Sequence, residues 1–91
     1  MRESAVPWWL IEVSDDERVA QVRRVEALVG DRIREARIEN AMTLTVLARR
    51  CAMRPGELMR LAGGKTRASA TQLCELARCL QRPISYFFSE G

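Results

Sequence analysis

An all-α fold is what this sequence predicts. Apolar residues recur at spacings of three and four along most of the 91 residues, and only three prolines and five glycines interrupt them. A Ser or Thr suited to capping a helix heads three of the apolar runs, at Ser14, Thr43 and Ser69. An apolar fraction of 47% beside 30% charged residues is that of a globular chain, and the length allows one domain with one modest core.

Residues 1–13 read as an apolar N-terminal arm, and residues 14–91 as the folded domain. Pro7, Trp8, Trp9, Leu10 and Ile11 concentrate bulky apolar surface without a clear period. Two adjacent tryptophans beside Leu10 and Ile11 call for cover, either from their own domain or from a partner subunit. Trp8, Trp9, Leu10 and Ile11 are therefore the candidate dimer or partner interface. The apolar run is short, holds Pro7 and Glu12 and lacks a small-residue cleavage site, so no signal peptide is expected.

Ser14 and Glu17 form a capping box that opens a long first helix with Asp15 and Asp16 in its first turn. Val19, Val22, Val25, Val29, Ile33 and Ala36 give it an apolar stripe. It either runs unbroken to about Glu39 or pauses at Gly30, where glycine costs about 1 kcal/mol in a helix interior. Arg32, Arg34, Glu35, Arg37 and Glu39 are expected on its solvated face. Thr43 caps a second helix running to about Cys51, with Leu47, Ala48 and Cys51 inward. Ala52, Met53 and Arg54 make a turn, and Pro55 stands at the first position of a third helix, where its missing N–H does no harm. Leu58 and Leu61 face inward, and Gly63 and Gly64 stop it. Ser69 and Gln72 form another capping box, opening a helix with Leu73, Leu76, Ala77 and Leu80 apolar. Pro83 breaks the chain. Ser85 is then expected to cap a last turn whose Tyr86, Phe87 and Phe88 plug the core.

The net charge of +3 is unevenly placed. Residues 1–42 hold seven Arg against nine acidic residues, and residues 68–91 balance. Residues 43–67 hold Arg49, Arg50, Arg54, Arg60, Lys65 and Arg67 against Glu57 alone. Such a concentration is either a solvated basic face or the footprint of a surface that meets phosphates. The three cysteines, Cys51, Cys74 and Cys79, accompany no histidine and lack zinc-site spacing. They read as buried free thiols in a reducing cytoplasm. No apolar run reaches the length of a membrane span. Without histidine, a nucleophile–base set, a phosphate-cradling glycine loop or metal ligands, the chain reads as a non-enzyme that takes no cofactor and no metal.

From about Leu28 to Phe88 the chain resembles the phage-repressor (Cro/C1, Xre) type of helix-turn-helix domain found in bacterial transcriptional regulators. The resemblance lies in Gly30-Asp-Arg-Ile-Arg-Glu-Ala-Arg, in Thr43 through Leu47-Ala48, and in Ala52 at the turn position that is usually glycine. Leu58, Gly64, Ser69, Leu73, Leu76, Ala77, Leu80 and Ile84 continue it. The ending Pro83-Ile-Ser-Tyr-Phe-Phe is similar to that of a subgroup of short bacterial regulators. The resemblance implies a five-helix repressor-like core over residues 28–88, with the helix-turn-helix at 43–62. The first helix would be N-terminally extended. It also implies a homodimer on double-stranded DNA, its third helix in the major groove. The chain departs from the family at Leu44, where a phosphate-contacting glutamine is common, and at Ala62, where a buttressing glutamate is common. Base-reading positions early in the third helix hold Pro55, Gly56 and Glu57.

Within that resemblance Arg60, Glu57 and Arg54 are the candidate base contacts. A guanidinium can chelate guanine O6 and N7, and a carboxylate can accept from a cytosine amine. Thr43, Arg49, Arg50, Lys65, Thr66 and Arg67 are the candidate phosphate contacts, which orient a protein on DNA but carry little sequence information. Two functions follow as expectations. One is a DNA-binding transcriptional regulator. The other, suggested by Leu44, Pro55, Gly56 and the apolar arm, is a degenerate helix-turn-helix that acts as an interaction module on a protein partner.

Overall fold

A computed structural model describes residues 15–89. Four α-helices and a closing 3₁₀ turn follow one another: α1 (Asp15–Glu39), α2 (Leu44–Arg50), α3 (Pro55–Ala62), α4 (Ala70–Leu80) and the turn Ile84–Phe88. No strand occurs among the described residues. The all-helical class therefore holds, but the five expected helices are four, because Pro83 and the short aromatic tail leave room for only a 3₁₀ turn. None of these helices is long and apolar enough to cross a membrane. The expected capping box at Ser14 and the arm carrying Trp8, Trp9, Leu10 and Ile11 lie outside the described residues.

The helix starts are local chemistry. Thr43 Oγ1 accepts from the Val46 N–H at 3.1 Å. Ser69 Oγ accepts from the Gln72 N–H at 3.1 Å while Gln72 Oε1 accepts from the Ser69 N–H at 2.9 Å, a reciprocal capping box. Pro55 opens α3 with Arg54 at the cap position and no side-chain cap bond.

The helix ends share one device. Ala41, Ala52, Gly64 and Gln81 each adopt the left-handed conformation, with φ of 54°, 57°, 71° and 57°. After each, the next N–H reaches back to the carbonyl five residues earlier: Met42 to Arg37, Met53 to Ala48, Lys65 to Arg60 and Arg82 to Ala77, all at 2.9–3.0 Å. This is the Schellman stop, which satisfies carbonyls the helix leaves over. Three of the four left-handed residues carry a Cβ, at about 1–2 kcal/mol each relative to the right-handed region.

The core sits where the four helices and the 3₁₀ turn meet. Ile33, Ala36, Leu47, Ala48, Leu58, Leu76, Leu80 and Phe87 are fully buried there. The α1 helix is unbroken through Gly30, and the reason is tertiary. A Cβ at Gly30 would lie 2.6 Å from the Ala62 carbonyl oxygen and 2.9 Å from that of Leu61, so glycine lets the end of α3 rest on α1. Arg34 crosses the same seam and donates to the Ala62 carbonyl.

The C-terminal end of α1 is tied down by polar contacts. Asn40 Nδ2 donates to the Leu80 carbonyl at 3.2 Å, and Arg32 Nε donates to that of Ser89 at 2.8 Å. Arg82 pairs with Glu39. Arg32 and Arg82 both stack over Tyr86, at 5.8 and 5.4 Å from its centroid.

Several expectations are corrected here. The cap position of the last turn is Pro83, not Ser85: the 3₁₀ turn begins at Ile84, two residues earlier than a Ser85 cap would place it. Phe87 alone plugs the core; Tyr86 is half-buried and meets it edge-on at 5.6 Å, and Phe88 is 46% exposed. Three consecutive residues cannot share one side of so tight a turn. Arg32 and Arg37 are not freely solvated: both are half-buried, and Arg37 Nη1 donates to the Met42 carbonyl at 2.9 Å. In the N-terminal half of α1, Val19 and Val25 are exposed rather than inward.

The thiols also differ from one another. Cys51 is buried, Cys79 half-buried and Cys74 exposed. The Cys79 thiol donates to the Arg50 carbonyl at 3.5 Å. Burial, then the neighbouring Cys79 thiol, pushes the Cys51 thiol from 9.0 up to about 12. A thiol whose pKa rises on folding favours the folded state fully below its unfolded pKa, and that contribution is lost as pH climbs through the folded value. Stability contributed by neutral Cys51 therefore disappears between pH 9.0 and about 12. Urea titrations across that window will show a steeper loss for wild type than for Cys51→Ala, although the variant starts less stable.

Candidate nucleic-acid interface

The outward side of α3 borders a charged concave surface. Leu58, Leu61 and Ala62 are buried, so helical geometry turns Gly56 and Arg60 directly outward, with Glu57 and Met59 on either flank. Arg54, Glu57, Arg60, Thr66, Arg67 and Gln72 line an open groove of about 540 Å³, with Leu61 at its floor. Three guanidinium groups face one carboxylate there, all on exposed residues. The field in the groove is thus positive, and its cations are free to meet an anion in water.

The backbone explains this convergence. The Schellman stop at Gly64 reverses the chain so that Thr66 and Arg67 return beside Arg60 instead of continuing the helix axis. A Cβ on Gly64 would sit 3.1 Å from the Ala27 Cα, so the reversal is pressed against α1. Glu57 is held from the other side: Gln72 Nε2 donates to Glu57 Oε2 at 3.0 Å. The same Gln72 amide closes the capping box of α4. One carboxylate oxygen of Glu57 is therefore committed within the protein, which narrows what that residue can offer a base.

The predicted site residues thus separate into two sets. Arg54, Glu57, Arg60, Thr66 and Arg67 are brought together in the groove, whereas Thr43, Arg49, Arg50 and Lys65 do not line it. Arg49 and Arg50 are exposed at the end of α2, Lys65 is exposed after α3, and the hydroxyl of Thr43 is engaged as a cap. Trp8, Trp9, Leu10 and Ile11 lie outside the described residues. Two groups on this surface were missed in the sequence. Met59 is 60% exposed on the outward flank of α3, legible from a helical wheel centred opposite Leu58 and Leu61. Gln72 reaches the groove only because α4 starts beside α3, for which no local signal exists. Leu44, at the position where the resembled family has glutamine, packs half-buried against the core.

The chain is similar to a protein described as a transcriptional regulator. That relative, from Rhodospirillum rubrum, is described as "Uncharacterized transcriptional regulator in ATPase CF(0) region" and is 35% identical over 69 residues. The match covers 76% of this chain and 64% of the relative, so the chain spans less than two thirds of that protein's length. No family model matches the chain. Among the described residues no three His, Cys, Asp or Glu side chains are grouped to hold a metal ion.

Proposed function

We propose that this protein is a DNA-binding transcriptional regulator of the Cro/C1 (Xre) helix-turn-helix type, acting in the cytoplasm as a homodimer with α3 in the major groove. The observation that carries the reading is the groove where Arg54, Arg60 and Arg67 converge around the outward side of α3. The description of the Rhodospirillum rubrum relative as a transcriptional regulator supports it. In this reading Arg60 reads guanine, Met59 lies against a thymine methyl, and Arg54, Thr66 and Arg67 grip phosphates. Arg49, Arg50 and Lys65 add charge at the margins. With Pro55 and Gly56 offering no hydrogen-bonding side chains, much of the affinity is electrostatic and part of the selectivity comes from DNA shape.

The test is a polarisation titration with random-sequence duplex DNA at two salt concentrations. Affinity is expected to fall by about a hundredfold or more for a fourfold rise in salt, as releasing several phosphate counterions requires. Absence of binding at low salt would sink the reading. It would leave the interaction-module alternative, which one feature favours: the bare Pro55–Gly56 front beside exposed Met59 resembles a protein contact more than a base-reading surface.

A further inference from the structure

Two of the three thiols meet between the ends of two helices. Cys51 closes α2: its N–H reaches the carbonyls of Leu47 and Ala48 at 3.0 and 3.2 Å, and its side chain is buried. Cys79 is the penultimate residue of α4, half-buried and packed against the same core. Its Sγ lies 3.5 Å from the Arg50 carbonyl oxygen, in the peptide bond that leads into Cys51. The two thiols act directly on one another, Cys79 helping to hold the proton on Cys51. Both backbones are pinned by the stops that follow them, Met53 N–H to the Ala48 carbonyl and Arg82 N–H to that of Ala77. The juxtaposition is thus built from fixed helix ends.

We propose that Cys51 and Cys79 are an oxidative modification site, at which hydrogen peroxide joins the end of α2 to the end of α4 by a disulfide. Cys79 is the thiol that the oxidant reaches, because Cys51 is only 5% exposed. The Cys79 sulfur, once its proton has left, attacks one peroxide oxygen. The O–O bond breaks, leaving Cys79 sulfenic acid and a hydroxide that takes the released proton to become water. The Cys51 sulfur then attacks the sulfenic sulfur. The S–S bond forms, the S–OH bond breaks, and the Cys51 proton leaves with the hydroxide as a second water. Two thiols lose two electrons and two protons, and the peroxide accepts them. Burial keeps Cys51 protonated up to about 12, so it stays inert until an electrophilic sulfur stands beside it. Cys74 is exposed on the same helix but stands five positions from Cys79, about 140° around the axis, and faces away from the pair.

The bond closes residues 51–79 into a loop that holds all of α3 and the groove residues from Arg54 to Gln72. Closing such a loop restricts the unfolded chain far more than the folded one, so the cross-linked domain is the more stable. The Arg50 carbonyl loses the thiol as its donor and takes water instead, since Arg50 is exposed. Oxidation therefore tightens the frame of the helix-turn-helix segment without using any of the groove's own side chains.

The inference goes beyond DNA binding and is tested without DNA, on the full chain carrying Cys74→Ser and treated with stoichiometric hydrogen peroxide. Trypsin leaves Cys51 in the peptide 51–60 and Cys79 in the peptide 79–91, because the bonds before Pro55 and Pro83 resist cleavage. Mass spectrometry is expected to find these two peptides joined, lighter by two hydrogens, with the free-thiol titre falling to near zero. The melting temperature should rise by about 10 °C or more and return to its starting value with dithiothreitol. Cys79→Ser keeps a donor for the Arg50 carbonyl, and under the same treatment its melting temperature should stay within about 2 °C. Two thiols still titrating after the oxidant, or Cys79 carried to sulfinic acid with no joined peptide, would overturn the proposal. So would a joined pair that melts no higher than the reduced protein.

Discussion

Gly30→Ala will lower the melting temperature by about 10 °C or more, a net loss of about 2–3 kcal/mol. Alanine is the better helix former, and in an exposed helix interior the exchange would gain about 1 kcal/mol. Here the added methyl meets the carbonyl oxygens of Ala62 and Leu61 at 2.6 and 2.9 Å and the Gly64 nitrogen at 3.0 Å. All three are backbone atoms in the Schellman stop of α3, so no rotamer change relieves the clash. Either α3 moves off α1 or the stop opens. Gly56→Ala is the control, because a Cβ there meets nothing within 4 Å. It is expected to be neutral or to stabilise by up to about 1 kcal/mol. Thermal denaturation of both variants checks the pair, and a Gly30→Ala protein melting at or above wild type would contradict the close approach of α1 and α3.

Arg60→Ala is expected to abolish sequence preference more than affinity. A guanidinium chelating one guanine contributes about 1–3 kcal/mol of discrimination at that base pair, roughly a tenfold to hundredfold preference. Duplexes selected from a random pool by wild type should therefore lose most of their advantage over random duplexes when challenged with the variant. Arg67→Ala should weaken both kinds of duplex alike and reduce the slope of log affinity against log salt by about one. The geometry motivates the contrast: Arg60 projects from the outward face of α3, and Arg67 enters the groove from the returning chain beyond Gly64. If Arg60→Ala shows the uniform loss and the reduced slope instead, Arg60 holds a phosphate and base reading must be sought at Met59 or in DNA shape.

Much of this domain could be read residue by residue, and what could be read shares a cause. The caps at Thr43 and Ser69, proline at the head of α3 and the stop at Gly63 and Gly64 are interactions between residues a few positions apart. The left-handed conformations of Ala41, Ala52 and Gln81 have no such signal, because neither alanine nor glutamine marks a left-handed turn, although a turn is expected at residues 52–54. The candidate groove divides in the same way. Arg54, Glu57 and Arg60 follow from the family resemblance, whereas the Gln72 hold on Glu57 joins residues fifteen positions apart.

By itself, then, the sequence determined the helical class, most helix starts, the buried faces of α2, α3 and α4, and the basic stretch at 43–67. Each depends on periodicity, capping or charge count, which act within a turn or two of the chain. The tertiary structure decided why α1 continues through Gly30, which cysteine is buried, which aromatic fills the core, and which valines of α1 stay uncovered. Those outcomes depend on what a neighbouring element covers. An apolar stripe has the same spacing whether its cover comes from its own domain or from elsewhere, so only the packed fold could show that α1 is supported at one end and bare at the other.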